Sequence, residues 1–143
     1  MRADARGATD GYDGRAMTPA AAVQPDPFAA WMNEGVAHQR AGRADEAHAV
    51  FERVLAHAPE HADAVHFLGL IAAGRGDLAE AVRLMEQGLR RAPQSPMHWA
   101  NRATLYITQG DETAAEACFR RAIALEPDQP GQRLNLARLL HGQ

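Results

Sequence analysis

Apolar residues recur at helical spacing over most of the chain, in short stripes separated by glycine and proline. The stretch from Pro96 to Pro127 shows the pattern most plainly. Trp99, Ala103 and Tyr106 mark one stripe, Ala115, Phe119 and Ala122 a second, and Gly110 stands between them. This predicts two amphipathic helices joined by a tight turn. The same order recurs twice upstream at a step of 34 residues, through Pro59, Pro93 and Pro127 and through Gly42, Gly76 and Gly110. Ala47, Ala81 and Ala115 keep the register, as do Phe51, Met85 and Phe119, Leu55, Leu89 and Ile123, and Trp31, Val65 and Trp99. A fixed period of this length is the signature of a stacked helical repeat.

Within that period, Trp99, Ala103, Tyr106, Ala115, Phe119, Ala122 and Pro127 form a pattern that resembles the tetratricopeptide repeat. Leu68, Gly69, Ala81 and Pro93 carry it in the second copy, and Trp31, Gly35, Ala47, Phe51 and Pro59 in the first. The resemblance implies an all-α fold, a right-handed α-solenoid of stacked antiparallel helix pairs. Three repeats are expected at 28–61, 62–95 and 96–129. Residues 130–143 then form a capping helix or a truncated fourth repeat, with Leu134, Leu136, Leu139 and Leu140 covering the end of the stack. Glycine after the first helix and proline after the second set the predicted boundaries, about Phe28 to Ala41 and Ala44 to Ala58 in repeat one. Gly35, Gly69 and Ala103 are expected to face Ala47, Ala81 and Ala115 so that paired helices approach closely. Gly88, inside the second helix of repeat two, reads as a further close-packing position.

Residues 1–27, rich in Ala, Gly, Asp and Pro, have no stripe of large apolar residues and are expected to form a disordered arm. Met17 is an alternative start to Met1. No apolar run is long enough to cross a bilayer, and the N-terminus lacks a signal-peptide core. The expected location is therefore cytoplasmic. Heavy use of Ala, Arg, Gly and Pro suggests a GC-rich, bacterial source.

The net charge of −3 offers no basic field for nucleic acid. All 15 basic residues are Arg, which excludes a phosphate loop or Schiff base built on lysine. Cys118 is the single cysteine, so it forms no internal disulfide and is expected to be a packed thiol. His57 and His61 are four apart, but Pro59 separates them, so they lie across a helix end and not on one metal-binding face. His48, His66 and His98 read as solvated or partly packed surface histidines. Asp45-Glu46 and Asp111-Glu112 fall at helix starts, where carboxylates suit the helix dipole. No catalytic motif is present; neither an enzyme activity nor a cofactor is expected.

The resemblance implies a concave groove lined by the first helix of each repeat. Its expected peptide-binding residues are Met32, Asn33, Val36 and Arg40; His66, Phe67 and Leu70; Met97, Asn101, Thr104 and Thr108; and Asn135 and Arg138. Chaperone adaptors of this family grip a terminal carboxylate with Lys, Asn and Arg. The corresponding places here hold Met32, Val36, Phe67, Met97 and Asn101, which excludes that clamp. Asn33, Asn101 and Asn135 are similar to the asparagine ladder of O-linked N-acetylglucosamine transferase repeats, with Phe67 interrupting it. An amide both donates to and accepts from a peptide backbone without reading its sequence. The expected function is a non-catalytic scaffold that binds a protein or peptide in the groove. Alternatives are the recognition arm of a larger glycosyl-, sulfo- or methyltransferase, a bacterial secretion-type chaperone, and self-association through the last helix.

Overall fold

Each helix pair is set by one turn, repeated with the same geometry. Gly42, Gly76 and Gly110 adopt φ of 79°, 83° and 82°, the left-handed region where a side chain is unfavourable. The next residue closes the turn back onto the first helix. Arg43 N donates to His38 O at 2.8 Å, Asp77 N to Ala72 O at 2.9 Å and Asp111 N to Tyr106 O at 2.9 Å. These bonds satisfy carbonyls that the helix end leaves free. Asp77 and Asp111 then cap the second helix, accepting from Glu80 N and Ala114 N.

A computed structural model describes residues 26–142; the expected disordered arm falls almost wholly outside them. The chain divides into a unit from Met1 to Ala30 and another from Trp31 to Gln143. In the first, Asp26 Oδ1 accepts from Phe28 N at 2.9 Å. Among the described residues all the regular structure is helical: α1 (Ala29–Arg40), α2 (Ala44–His57), α3 (Ala62–Gly74), α4 (Leu78–Arg91), α5 (Pro96–Thr108), α6 (Glu112–Leu125) and α7 (Pro130–His141). The order is that of an α-solenoid. α3 packs on α4 and α5 on α6 within repeats, while α2 meets α3, α4 meets α5 and α6 meets α7 between them. α3 also touches α5 directly. The predicted boundaries agree with the observed ones to within a residue in repeat one.

The small residues of the first helices leave space that large side chains of the second helices occupy. Gly35 lies against Phe51: a Cβ there would stand 2.5 Å from Phe51 Cε1. At Gly69 it would meet Met85 Cγ at 2.7 Å. The large residue of the second helix thus seats on the glycine of the first, and Ala47, Ala81 and Ala115 are completely buried. Phe51 reaches onward as expected, stacking on Phe67 of the next repeat with centroids 5.2 Å apart. Gly88 is a close-packing position: an added Cβ would lie 3.3 Å from Ala62 O and 3.4 Å from His66 Cβ.

The signature tryptophans have a polar handle as well as a packing role. Trp99 Nε1 donates to Pro93 O at 2.9 Å, tying α5 to the preceding interhelical link. Arg53 lies 4.3 Å from the Trp31 ring centroid and Arg121 5.9 Å from that of Trp99. Repeat two has Val65 and Gln87 at those places, so indole and guanidinium are lost together. The leucine stripe of α7 covers the stack only in part. Leu139 is buried and Leu136 packs beside it, whereas Leu134 and Leu140 are exposed.

Gly35→Ala is expected to destabilise the protein by about 1–3 kcal/mol, because a rigid phenyl ring occupies the space. Thermal melts would check this. An unchanged melting temperature would mean that Phe51 moves aside freely.

Candidate peptide-binding groove

The first helices of the repeats carry the expected groove residues, but two of these point inward. Met32 is buried, and His66 has 0 % exposure. His98, expected at the surface, is equally buried. Both histidines are corrected from surface to core, because α3 and α5 pack directly and enclose their side chains. The rings stack with centroids 4.1 Å apart and planes within 5°.

This buried pair is held by hydrogen bonds between repeats two and three. His98 Nε2 donates to Asp63 Oδ1 at 2.8 Å. Asn101 Nδ2 donates to His66 Nε2 at 2.9 Å. The Nδ1 atoms of both rings have no hydrogen-bond partner among the described residues, a cost borne inside an otherwise apolar contact. Burial, reinforced by His98 and opposed by Asp63, lowers the His66 pKa to about 3. His66 is therefore neutral at physiological pH. Asp63 is held below the usual carboxylate range by the hydrogen bond from His98, against the opposing effect of burial.

The remaining expected residues are accessible to different degrees. Asn33, Arg40, Met97, Thr104, Thr108 and Arg138 are exposed; Val36, Phe67, Leu70, Asn101 and Asn135 are half-buried. Of the asparagine ladder, Asn101 directs its amide N–H groups towards His66, and Phe67 stacks on Phe51. Both side chains are thus committed to the fold. Thr104, Asn135 and Arg138 come together at the C-terminal end of the array. They line a cleft of about 360 Å³ with Ile107, Phe119 and Leu139. Ile107, which the sequence reading did not single out, is an exposed large apolar residue there.

Other residues have structural roles. Arg102, also unremarked in the sequence, is buried on α5 and donates to Glu86 of α4 at 3.2 Å and to Tyr106 Oη at 3.0 Å. Cys118 is buried, and burial pushes its thiol pKa up despite the nearby Arg102 charge; it is poorly suited to act as a nucleophile. His61 caps α3 by accepting from Ala64 N, while His57 ends α2. No helix among the described residues is long and apolar enough to cross a membrane.

A family model described as tetratricopeptide repeat matches residues 33–96 and 68–133. The chain belongs to the tetratricopeptide repeat family. Cellulose synthase 2 operon protein C of Komagataeibacter xylinus is 34% identical over 106 residues, covering 71% of this chain and 8% of that protein. Cellulose synthase operon protein C of Xanthomonas axonopodis pv. citri (strain 306) is 38% identical over 72 residues, 50% of this chain and 5% of that one. The chain thus spans less than a tenth of the curated relatives it matches.

Solved tetratricopeptide structures share the fold. Naa15/Naa10 bound to HypK-THB aligns with a TM-score of 0.75 at 24% identity, over 80% of this chain and 17% of that one. The Thermobaculum terrenum O-GlcNAc transferase gives 0.72 at 22%, over 84% and 24%. PcrH in complex with the chaperone-binding region of PopD gives 0.63 at 23%, over 82% and 88%. At these identities the likeness establishes the fold alone.

Two outcomes follow for the buried pair. The unfolded chain takes up a proton at His66 below about pH 6.5, whereas the native protein resists protonation until about pH 3. Stability therefore falls as pH drops through that window, by up to ~1.4 kcal/mol per pH unit for this group. The Asp63 contribution is present above its ordinary pKa of 3.8 and is lost on further acidification. Denaturant unfolding of wild type and His66→Gln across pH 4–7 should show a shallower slope in the variant. Asn101→Ala should cost about 1–3 kcal/mol by orphaning His66 Nε2; an equally stable Asn101→Ala protein would remove this bond from the account.

Proposed function

We propose that this chain is a non-catalytic protein-interaction module that holds a segment of a partner protein on the first-helix side of the array. One observation carries the reading: Thr104, Asn135 and Arg138 converge on the cleft between α5 and α7. Its walls supply both kinds of contact that an extended peptide needs. Asn135 and Thr104 exchange hydrogen bonds with a backbone, and Arg138 offers charge-assisted donors to a carboxylate or carbonyl. The exposed Ile107 provides apolar area for a side chain. Support from known proteins is of the same kind, since PcrH was solved with a binding region of PopD on this fold.

The curated relatives are named for cellulose synthase operons, which supports a partner from a cellulose synthase system, with this module as one stretch of a recognition array. The exposed Leu134 and Leu140 favour contact of α7 with a further repeat or a second copy of the chain.

The test is affinity capture from lysate with mass spectrometry, comparing wild type with Ile107→Asp/Arg138→Ala. Both residues are exposed, so the melting temperature should remain close to that of wild type. Partners enriched by wild type and lost with the variant are expected. Retention of every partner by a folded variant would remove the cleft from the binding surface. Phe67 and Asn101 are unsuitable probes, because replacing either disturbs packing between repeats.

A further inference from the structure

In repeats one to three a face of the first helix is closed by the second helix, and on α7 the corresponding face is open. Gly35, Gly69 and Ala103 are buried, the first two beneath Phe51 and Met85. Ala137, one period after Ala103, is exposed. Leu134 and Leu140, one period after the buried Ala100 and the half-buried Tyr106, are 51 % and 40 % exposed. Helical spacing puts Leu134, Ala137 and Leu140 on one side of α7. An apolar strip with a small residue at its centre thus continues the surface on which Phe51 and Met85 are seated.

The charge beside this strip narrows what can cover it. Trp31 and Trp99 hold Arg53 and Arg121 of their second helices 4.3 and 5.9 Å from their ring centroids. One period after Trp99 stands Arg133, exposed and one turn before Ala137. A helix like this chain's own second helices would set Arg53, Gln87 or Arg121 opposite it, and none of these is an anion. Nor does α7 contain an acidic residue. A carboxylate on the covering helix would turn that repulsion into attraction.

We propose that this face of α7 docks an amphipathic helix of a partner protein, antiparallel to α7 as second helices are to first. A large apolar side chain of the partner seats on Ala137, and a carboxylate two residues later pairs with Arg133. The spacing is that of Phe119 and Arg121 in α6, with the charge inverted. Leu134 and Leu140 bury their exposed area against the same helix. The site is separate from the α5–α7 cleft, whose Asn135 and Leu139 lie on the opposite side of α7.

The probe is a capped peptide of residues 111–126 carrying Cys118→Ser and Arg121→Glu. A staple between the places of Thr113 and Ala117, both exposed in α6, holds it helical. It is titrated into the full chain while methyl NMR signals of Leu134, Ala137 and Leu140 are followed. Saturable shifts at these residues are expected, with Ile107 of the α5–α7 cleft unmoved. The peptide that retains Arg121 should bind about 2- to 5-fold more weakly, the scale of an exposed ion pair. In the Arg133→Glu protein the preference should invert. Adding Phe119→Asp to the probe should weaken binding about 10-fold or more, through loss of a buried aromatic ring. Absence of shifts at millimolar peptide would overturn the proposal, as would a preference that does not invert. Shifts of Leu134 and Leu140 that track protein concentration alone would assign the face to a second copy and overturn it too.

Discussion

The array rests on one close approach repeated along the chain: a large side chain from the second helix seated on a residue of little bulk on the first. Phe51 on Gly35 and Met85 on Gly69 leave no room for a Cβ, and the buried Phe119 and Ala103 carry the same positions in repeat three. This contact lets the paired helices joined by each glycine turn approach closely. The period of 34 residues then follows, because each repeat must return the chain to the same relation between helix, turn and helix. The alignment of the first helices along one side of the array is a consequence of that spacing.

Repeat two departs from its neighbours on both sides, and the departures have opposite effects. On the inner side it is more elaborate: His66 and Asp63 engage Asn101 and His98 of the next repeat, forming a buried polar joint. The hydrogen bonds of this joint fix how the two repeats meet, while the unpaired Nδ1 atoms of its rings are a cost. On the outer side it is simpler: Val65, Leu68 and Ala72 stand where repeat three has Trp99, Arg102 and Tyr106. The same helix α3 thus carries a polar joint on one face and small or aliphatic buried residues on the other.

The repeat architecture was legible in the sequence because turn and packing residues have local causes. A glycine at positive φ and a proline after the second helix act within a few residues of themselves. The 34-residue step made their agreement visible. The side chains that depend on neighbouring repeats were less legible. His66 lies at a place that the groove pattern assigns to the surface, yet the direct contact of α3 with α5 buries it. Asn101 reads as a ladder amide until His66 is seen at 2.9 Å from it. Arg102 gave no signal as a single charged residue, because its burial depends on Glu86 and Tyr106 together. Thr104, Asn135 and Arg138, which lie far enough along the array to escape such contacts, border the cleft between α5 and α7.

Recognition on the first-helix side is the central claim, and site-specific photo-crosslinking tests it most directly. A benzophenone amino acid would be placed at Thr104, in the α5–α7 cleft, and in a separate protein at the exposed Ala117 of α6. Irradiation in cells of the source organism should yield a discrete crosslinked partner from Thr104 and none from Ala117. A partner captured at Ala117 with nothing at Thr104 would place recognition on the second helices and contradict the account.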